Sequence, residues 1–337
     1  TKRYLLLIGA LAVAVAGYSW YWHEVAENIR AGIPEFTQTA RKAGYIVDLA
    51  APDVSGFPYR LIVNFPALDL ASKKGGGSDE AEWRLRTEGV TGYAQPWNLS
   101  HVIIEFGNSV ALSWRDHTQI IGSDRAVLSL SLEGDTLHRL SLDAGGVSIS
   151  SPEGEALWAA GRLQAHMQLR REGNEAPTAT QVSLKAENID LPERMSGVLD
   201  QHIQIVRATG SLDDWAPSLG HVPDLSEWAG NGGTMVLDDF EVSWQPLEIE
   251  GSGALALDAT RRPEGSILAS LRGHGALVDL LEGTGILSAG KAAATRAALG
   301  MLQSSQPPSG GRLTVPIELQ GGRLYLGPIK LLRLPAF

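Results

Sequence analysis

The sequence predicts a mainly β, α+β protein: a large antiparallel sheet body, curved or elongated, tethered by an N-terminal transmembrane helix. Three observations predict it. Residues 4–22 carry no charge. From Tyr45 onward, short runs alternate apolar and polar residues with the period of two of a strand that has one wet face. The helical period returns only near the C-terminus, ahead of a closing hairpin.

The run from Tyr4 to Trp22 follows Lys2 and Arg3 and is built of Leu, Ile, Val, Ala and Gly until it turns aromatic at Tyr18, Trp20, Tyr21 and Trp22. A helix of that length rises roughly 28 Å, about one hydrocarbon core. Lys2 and Arg3 are expected on the cytoplasmic side and the four aromatic residues at the opposite interface. The chain is then a single-pass inner-membrane protein with its bulk in the periplasm and the lipid bilayer as its partner through residues 4–22. Ala14-Val15-Ala16 keeps an alternative open, a signal peptide cleaved after Ala16. Continuation of the apolar run into the aromatic cluster favours retention. A buried core helix fits less well, because the run sits behind two cations.

Composition narrows the function classes. The 337 residues include no cysteine, which excludes disulfides and thiol nucleophiles. The formal charge is −10, and residues 1–22 contribute only cations, so the remainder is more acidic still. That balance argues against a nucleic-acid partner and against broad electrostatic docking on anionic lipid.

The layout divides into an anchor (1–22), an amphipathic juxtamembrane helix (23–44) and a β-rich domain (45–337) with halves at 45–192 and 193–337. Val25, Ile29, Ile33 and Phe36 recur every three or four residues, so a helix follows the anchor and can be continuous with it. Pro34 is expected to kink it or to start a second helix, and Gly44 to end it. Strands are predicted at 45–49, 59–65 with continuation past Pro66 to 71, 83–87, 102–106, 110–114, 126–132, 137–144 and 147–149, with a turn at Gly56-Phe57-Pro58 and a polar loop over 73–80. Residues 155–171 fit strand or helix, and alternation of Leu163, Ala165, Met167 and Leu169 favours strand. Further strands are expected at 182–186, 203–211, 234–237, 240–244, 247–251 and 254–259, and short helices at 195–201 and 224–229. Helices at 276–282 and 289–303 precede a hairpin of 313–319 and 323–327 across Gln320-Gly321-Gly322.

No chemical motif outweighs its structural reading. The eight histidines have neither the i, i+4 spacing nor the H-E-x-x-H pattern of a zinc helix, so no metal is expected. Gly285-Ile286-Leu287-Ser288-Ala289-Gly290 is one residue too long for a nucleophile elbow, and Ser288 reads as the cap of the following helix. Gly251-Ser252-Gly253 matches part of a dinucleotide fingerprint, but a strand follows it where a helix is needed, so a bulge or turn is favoured and no cofactor is expected. Asp213-Asp214 and Asp238-Asp239 read as solvated turn residues. No catalytic residue is assigned, and the chain is expected not to be an enzyme.

Two end motifs carry a resemblance: Gly56-Phe57-Pro58-Tyr59-Arg60 after the amphipathic helix, and Pro316 with Gly322-Arg323-Leu324-Tyr325-Leu326-Gly327-Pro328 at the C-terminus. The layout and these motifs resemble the bacterial membrane-anchored proteins grouped as domain of unknown function 2125. That family has no assigned activity, so no catalytic residue carries over. The strand-rich body and the C-terminal motif are more distantly similar to AsmA-like envelope proteins. This similarity implies an apolar concave sheet face and a role in lipid handling or envelope maintenance, with phospholipid as a ligand. The alternative is a non-catalytic accessory or scaffold subunit bound to other membrane proteins.

Overall fold

The computed structural model describes residues 2–42, 44–72, 81, 83–114, 117–134, 136–170, 179–192, 199–215, 217, 225–258, 260–307, 310–327 and 329–334. The predicted antiparallel, mainly β architecture is what it shows, with one long N-terminal helix and two helices before the final strands. The polar loop over 73–80, most of the expected helix at 195–201, and Pro328 lie outside the described residues. Contacts divide the chain into two compact units, residues 1–130 with 150–155, and residues 131–149 with 156–337.

The first helix, α1 (Lys2–Lys42), is unbroken and is long and apolar enough to cross a membrane. The anchor and the amphipathic segment are therefore one helix. Pro34 lies inside it, so no second helix starts there. Pro34 removes one backbone donor, yet the helix runs through it to Lys42, and one turn on the Thr37 hydroxyl donates to the Ile33 carbonyl at 2.9 Å. The helix stops where Gly44 was expected to stop it, with the Gly44 N–H on the Arg41 carbonyl at 3.1 Å.

In the first unit, β1 (Tyr45–Leu49), β2 (Asp53–Ser55), β3 (Leu61–Ser72), β4 (Trp83–Gln95), β5 (Asn98–Phe106), β6 (Ser109–Trp114) and β7 (His117–Gly122) follow one another, and β8 (Arg125–Glu133) begins there and ends in the second unit. The long β3 pairs antiparallel with β1, β2 and β4 and does run through Pro66. Register sets Leu61, Val63 and Phe65 against Ala94, Gly92 and Val90 of β4, and sets Ala94 and Gly92 against Val102 and Ile104 of β5. A period of two places all of these on one face. Trp22 and Ala26 of α1 are buried with Val54 and Leu61, and Val25, Ile29 and Val63 pack around them.

In the second unit, β9 (Thr136–Ser150) precedes the consecutive strands β10 (Ala156–Arg170), β11 (Ala179–Asp190) and β12 (His202–Asp213). A short helix, α2 (Leu225–Gly230), leads into β13 (Thr234–Trp244), β14 (Leu247–Leu257) and β15 (Pro263–Arg272). Next come α3 (His274–Gly283), α4 (Ala289–Ser305), β16 (Leu313–Leu319), β17 (Arg323–Leu326) and β18 (Ile329–Arg333). The register from β10 to β16 aligns Ala165, Leu184, Ala208, Phe240, Gly251, Ala269 and Val315 in one row. The neighbouring row on the other face is Gln164, Lys185, Arg207, Glu241, Glu250, Ser270 and Thr314. The alternation seen in single strands is thus coherent across seven of them. On the apolar face α3 and α4 bury Leu271, Leu313, Val315, Val278 and Leu299 into the main core.

Several elements differ from the sequence reading. Strands β2, β7, β15 and β18 were not anticipated, and the pairs expected at 137–144 with 147–149, at 234–237 with 240–244 and at 247–251 with 254–259 are single strands. Asp238-Asp239 lies inside β13, not in a turn, where the register with β14 shifts between Leu237 and Phe240. Asp239 and Glu241 share Arg207, each at 3.0 Å. Gly251 and Gly253 belong to β14, and the irregularity lies on its partner β13. A Cβ on Gly251 would lie 2.5 Å from the Phe240 ring, so the aromatic residue needs the glycine opposite it. Ser288 occupies the N-cap of α4 as expected, through its carbonyl, which accepts the Ala292 N–H at 2.8 Å; its side chain makes no cap bond.

Candidate functional site

The N-terminal motif and the aromatic end of the apolar run meet. The turn at 56–60 is closed by the Arg60 N–H donating to the Gly56 carbonyl at 3.2 Å. Gly56 has φ +100, and a Cβ there would sit 2.7 Å from the Arg60 carbonyl oxygen, so this corner takes only glycine. The turn presents Phe57 and two free carbonyls to α1. The Tyr18 hydroxyl donates to the Pro58 carbonyl at 2.5 Å, and Trp22 Nε1 donates to the Arg60 carbonyl at 3.2 Å. The Trp22 ring stands edge-on to Phe57, centroids 5.6 Å apart, and is only 5% exposed. From the next turn of chain, the Pro96 carbonyl accepts the Tyr21 hydroxyl at 2.7 Å.

Tyr18, Tyr21 and Trp22, assigned from sequence to the bilayer interface, therefore also clamp the helix to the β-body. Trp20 points away and is 69% exposed, and Lys2 and Arg3 are exposed at the helix start.

Beyond this clamp, α1 runs over the apolar face of β3, β4 and β5 without closing on it. Ile29 and Ile33 form one wall of a cavity of ≈ 330 Å³. Its other walls are Leu61, Val63 and Phe65 from β3, Val90, Gly92, Tyr93 and Ala94 from β4, and Leu99, Val102 and Ile104 from β5. The space exists because β4 offers Gly92 and Ala94 where larger residues would reach the helix. A Cβ built on Gly92 meets nothing nearer than the Val63 carbonyl oxygen at 3.8 Å. A second depression of ≈ 320 Å³ shares Ile29, Ile33, Phe65 and Val90 and adds Gly32, Phe36, Leu49 and Leu68. Each volume falls at the lower end of the range for small-ligand pockets, roughly 300–1,000 Å³. A lining this apolar discriminates against polar ligands and suits a hydrocarbon chain.

The polar depressions are different in kind. One in the first unit, ≈ 730 Å³, contains Asp69 and Arg86. Asp69 bonds Arg84 at 2.7 Å and Arg86 at 3.1 Å, and chiefly the Arg84 guanidinium holds its carboxyl below the usual carboxylate range, against the opposing effect of burial. The Asp69 charge is neutralised in place by the two arginines, which is a structural use of it. One in the second unit, ≈ 540 Å³, is lined by Arg139, His166, Ser183, Thr209 and Asp238 on the polar side of β9 to β13.

The C-terminal motif builds a corner, not a cavity. Pro316 sits in β16 and its carbonyl accepts the Gly327 N–H at 2.8 Å. Gly322 has φ +67, and its carbonyl accepts the Leu334 N–H at 2.9 Å. Arg323 and Leu324 open β17, where Leu324 pairs with Leu319. Among the motif residues, sequence reasoning brought Gly56, Phe57, Pro58 and Arg60 to the site, whereas the C-terminal set belongs to the packing of the second unit.

A family model described as an uncharacterized protein conserved in bacteria (DUF2125) matches residues 22–335. The chain belongs to the DUF2125 family. No curated protein matches it. In this DUF2125 member the matched segment starts at Trp22, takes in the clamp partners Phe57 and Arg60, and includes every residue of the apolar cavity. The sequence reading did not single out the cavity residues. Their signal was the strict alternation of Leu61, Val63 and Phe65, but the facing small residues Gly92 and Ala94 become meaningful only once the strand register is known.

Proposed function

We propose that this protein is a membrane-tethered lipid-handling protein of the bacterial envelope, held in the inner membrane by α1 with its β-body in the periplasm. The observation that carries the reading is the apolar cavity between Ile29 and Ile33 of α1 and the β3–β5 face. It lies along the same helix whose first half is exposed and apolar, so an acyl chain leaving the bilayer would find an apolar surface next to the tether. No step of bond-making is part of this reading: the cavity would shield a chain and hand it on.

Native mass spectrometry of the full chain, extracted from membranes in mild detergent, tests it. The wild-type protein is expected to retain phospholipid. Gly92→Phe places a ring in the open space over Gly92 and should abolish that retention while leaving the circular dichroism spectrum unchanged. A lipid-free wild-type protein, or a Gly92→Phe variant that keeps its lipid, would sink the proposal.

A further inference from the structure

The residues flanking the clamp are unusually apolar for a surface. Tyr59 is 78% exposed and Trp97 59% exposed, and each directly follows a proline whose carbonyl is gripped by a tyrosine of α1. Leu99, two residues on, is 46% exposed and also lines the cavity. These two turns, residues 56–60 and 95–99, contain the exposed cation Arg60 and no carboxylate, in a chain whose net charge is −10.

Their height is fixed by α1. Tyr18 lies fifteen residues beyond Arg3, about 22 Å along the helix at 1.5 Å per residue. A hydrocarbon core of about 30 Å that starts near Arg3 extends past that level. A turn hydrogen-bonded to Tyr18 cannot stand clear of such a bilayer. Tilt of the helix would sink it deeper.

We infer that residues 56–60 and 95–99 form a docking face that rests in the headgroup layer of a phospholipid bilayer where α1 leaves it. Tyr59 and Trp97 sit at the acyl–headgroup boundary, the depth at which amphipathic rings are most stable. Arg60 meets lipid phosphate. Docking places Leu99, and with it one wall of the cavity, against the lipid surface, so a chain enters without crossing water. The inference rests on reading residues 4–22 as a membrane span.

The chain has no cysteine, so single-cysteine labels report cleanly. The full-length protein is reconstituted into phosphatidylcholine–phosphatidylglycerol vesicles carrying an environment-sensitive fluorophore at Tyr59→Cys, Trp97→Cys, Asp53→Cys or Val13→Cys. Asp53 is the aqueous control: its neighbour Val54 accepts a bond from Arg30 at 3.1 Å, about 18 Å farther along α1 than Tyr18. Labels at 59 and 97 are expected to be blue-shifted, quenched by a shallow spin-labelled lipid and protected from iodide, with the label at 53 the reverse. Iodide access at 59 and 97 equal to that at 53, with the label at 13 quenched by lipid, would overturn the docking face and leave the anchor standing. Protection from iodide without lipid quenching would overturn it in favour of a second protein copy over the patch. A label at 13 that lipid does not quench would remove the anchor and the docking face together.

Discussion

Replacing Trp22 by alanine takes out the ring that seals α1 against the β-body, and the cost can be worked out term by term. A buried tryptophan removes roughly 150–250 Å² from solvent, worth about 4–6 kcal/mol at 25 cal/mol per Å². In a membrane or micelle the wild-type ring, once released, enters the interface and not bulk water, which returns a good part of that term. The edge-on contact with Phe57 adds about 1 kcal/mol and the bond to the Arg60 carbonyl about 1 kcal/mol more. The net cost should be about 3 kcal/mol, at the lower end for Trp→Ala in a core. This raises the equilibrium constant for local opening roughly a hundredfold. Hydrogen exchange by mass spectrometry on the full chain in detergent reads it directly. Peptides covering residues 53–65 should exchange about two orders of magnitude faster, while those covering Leu271 and Leu313, buried in the second unit, stay unchanged. Trp22→Phe keeps the ring contact and loses only the N–H bond, so it should fall between. Wild-type protection over residues 53–65 in the alanine variant would refute the clamp.

Two further outcomes follow from the second unit. Gly322→Ala forces a side chain into the left-handed region and sets its Cβ 2.8 Å from Arg262 Cδ. The expected loss is about 1–2 kcal/mol, visible as a lower thermal midpoint of the second unit, whereas Gly300→Ala, where a Cβ meets nothing within 4 Å, should not lower it. Asp258 accepts bonds from the Thr260 hydroxyl at 2.6 Å and the Arg262 N–H at 2.9 Å, chiefly the first of which lowers its carboxyl from 3.8 to about 2. Because the folded value is depressed, the loop stabilisation is complete above pH 3.8 and is lost as pH falls through about 2. Carboxyl titration by carbon NMR checks the value, and Asp258→Asn should remove the acid sensitivity of the loop amides.

The fold was legible wherever one periodicity ran uninterrupted. Leu128 to Leu132 and Leu163 to Leu169 announced strands because a sheet with one wet face writes its period into the sequence. The strand Pro263–Arg272 escaped because it opens on Pro-Glu-Gly-Ser and offers only Ile267, Ala269 and Leu271 as an apolar file. The three-residue β2 is too brief to carry a pattern, and β7 sets its two isoleucines side by side, without alternation. The aromatic run at Tyr18 to Trp22 shows a deeper ambiguity. An amphipathic ring is satisfied equally by a headgroup layer or by a carbonyl of its own chain, and composition does not distinguish the two. Three of the four rings found carbonyl or ring partners thirty-five to seventy-five residues away in sequence. The cavity was hidden for a related reason. An empty space is a property of residues that face each other, and Gly92 becomes its floor only when Val63 is placed opposite it.

The unbroken length of α1 has a mechanical consequence. Forty-one residues of helix make a strut about 62 Å long. The β-body is fixed to it at three heights: at Tyr18 to Trp22, at Arg30 through the Val54 carbonyl, and at Arg41 through the Val47 carbonyl at 3.3 Å. Such a strut has no swivel. Under the proposed membrane placement, a tilt or rotation imposed on residues 4–15 is passed along the helix to β2 and β3, and a load on those strands is returned to residues 4–15. In that placement bilayer thickness becomes a setting for the attitude of the first unit.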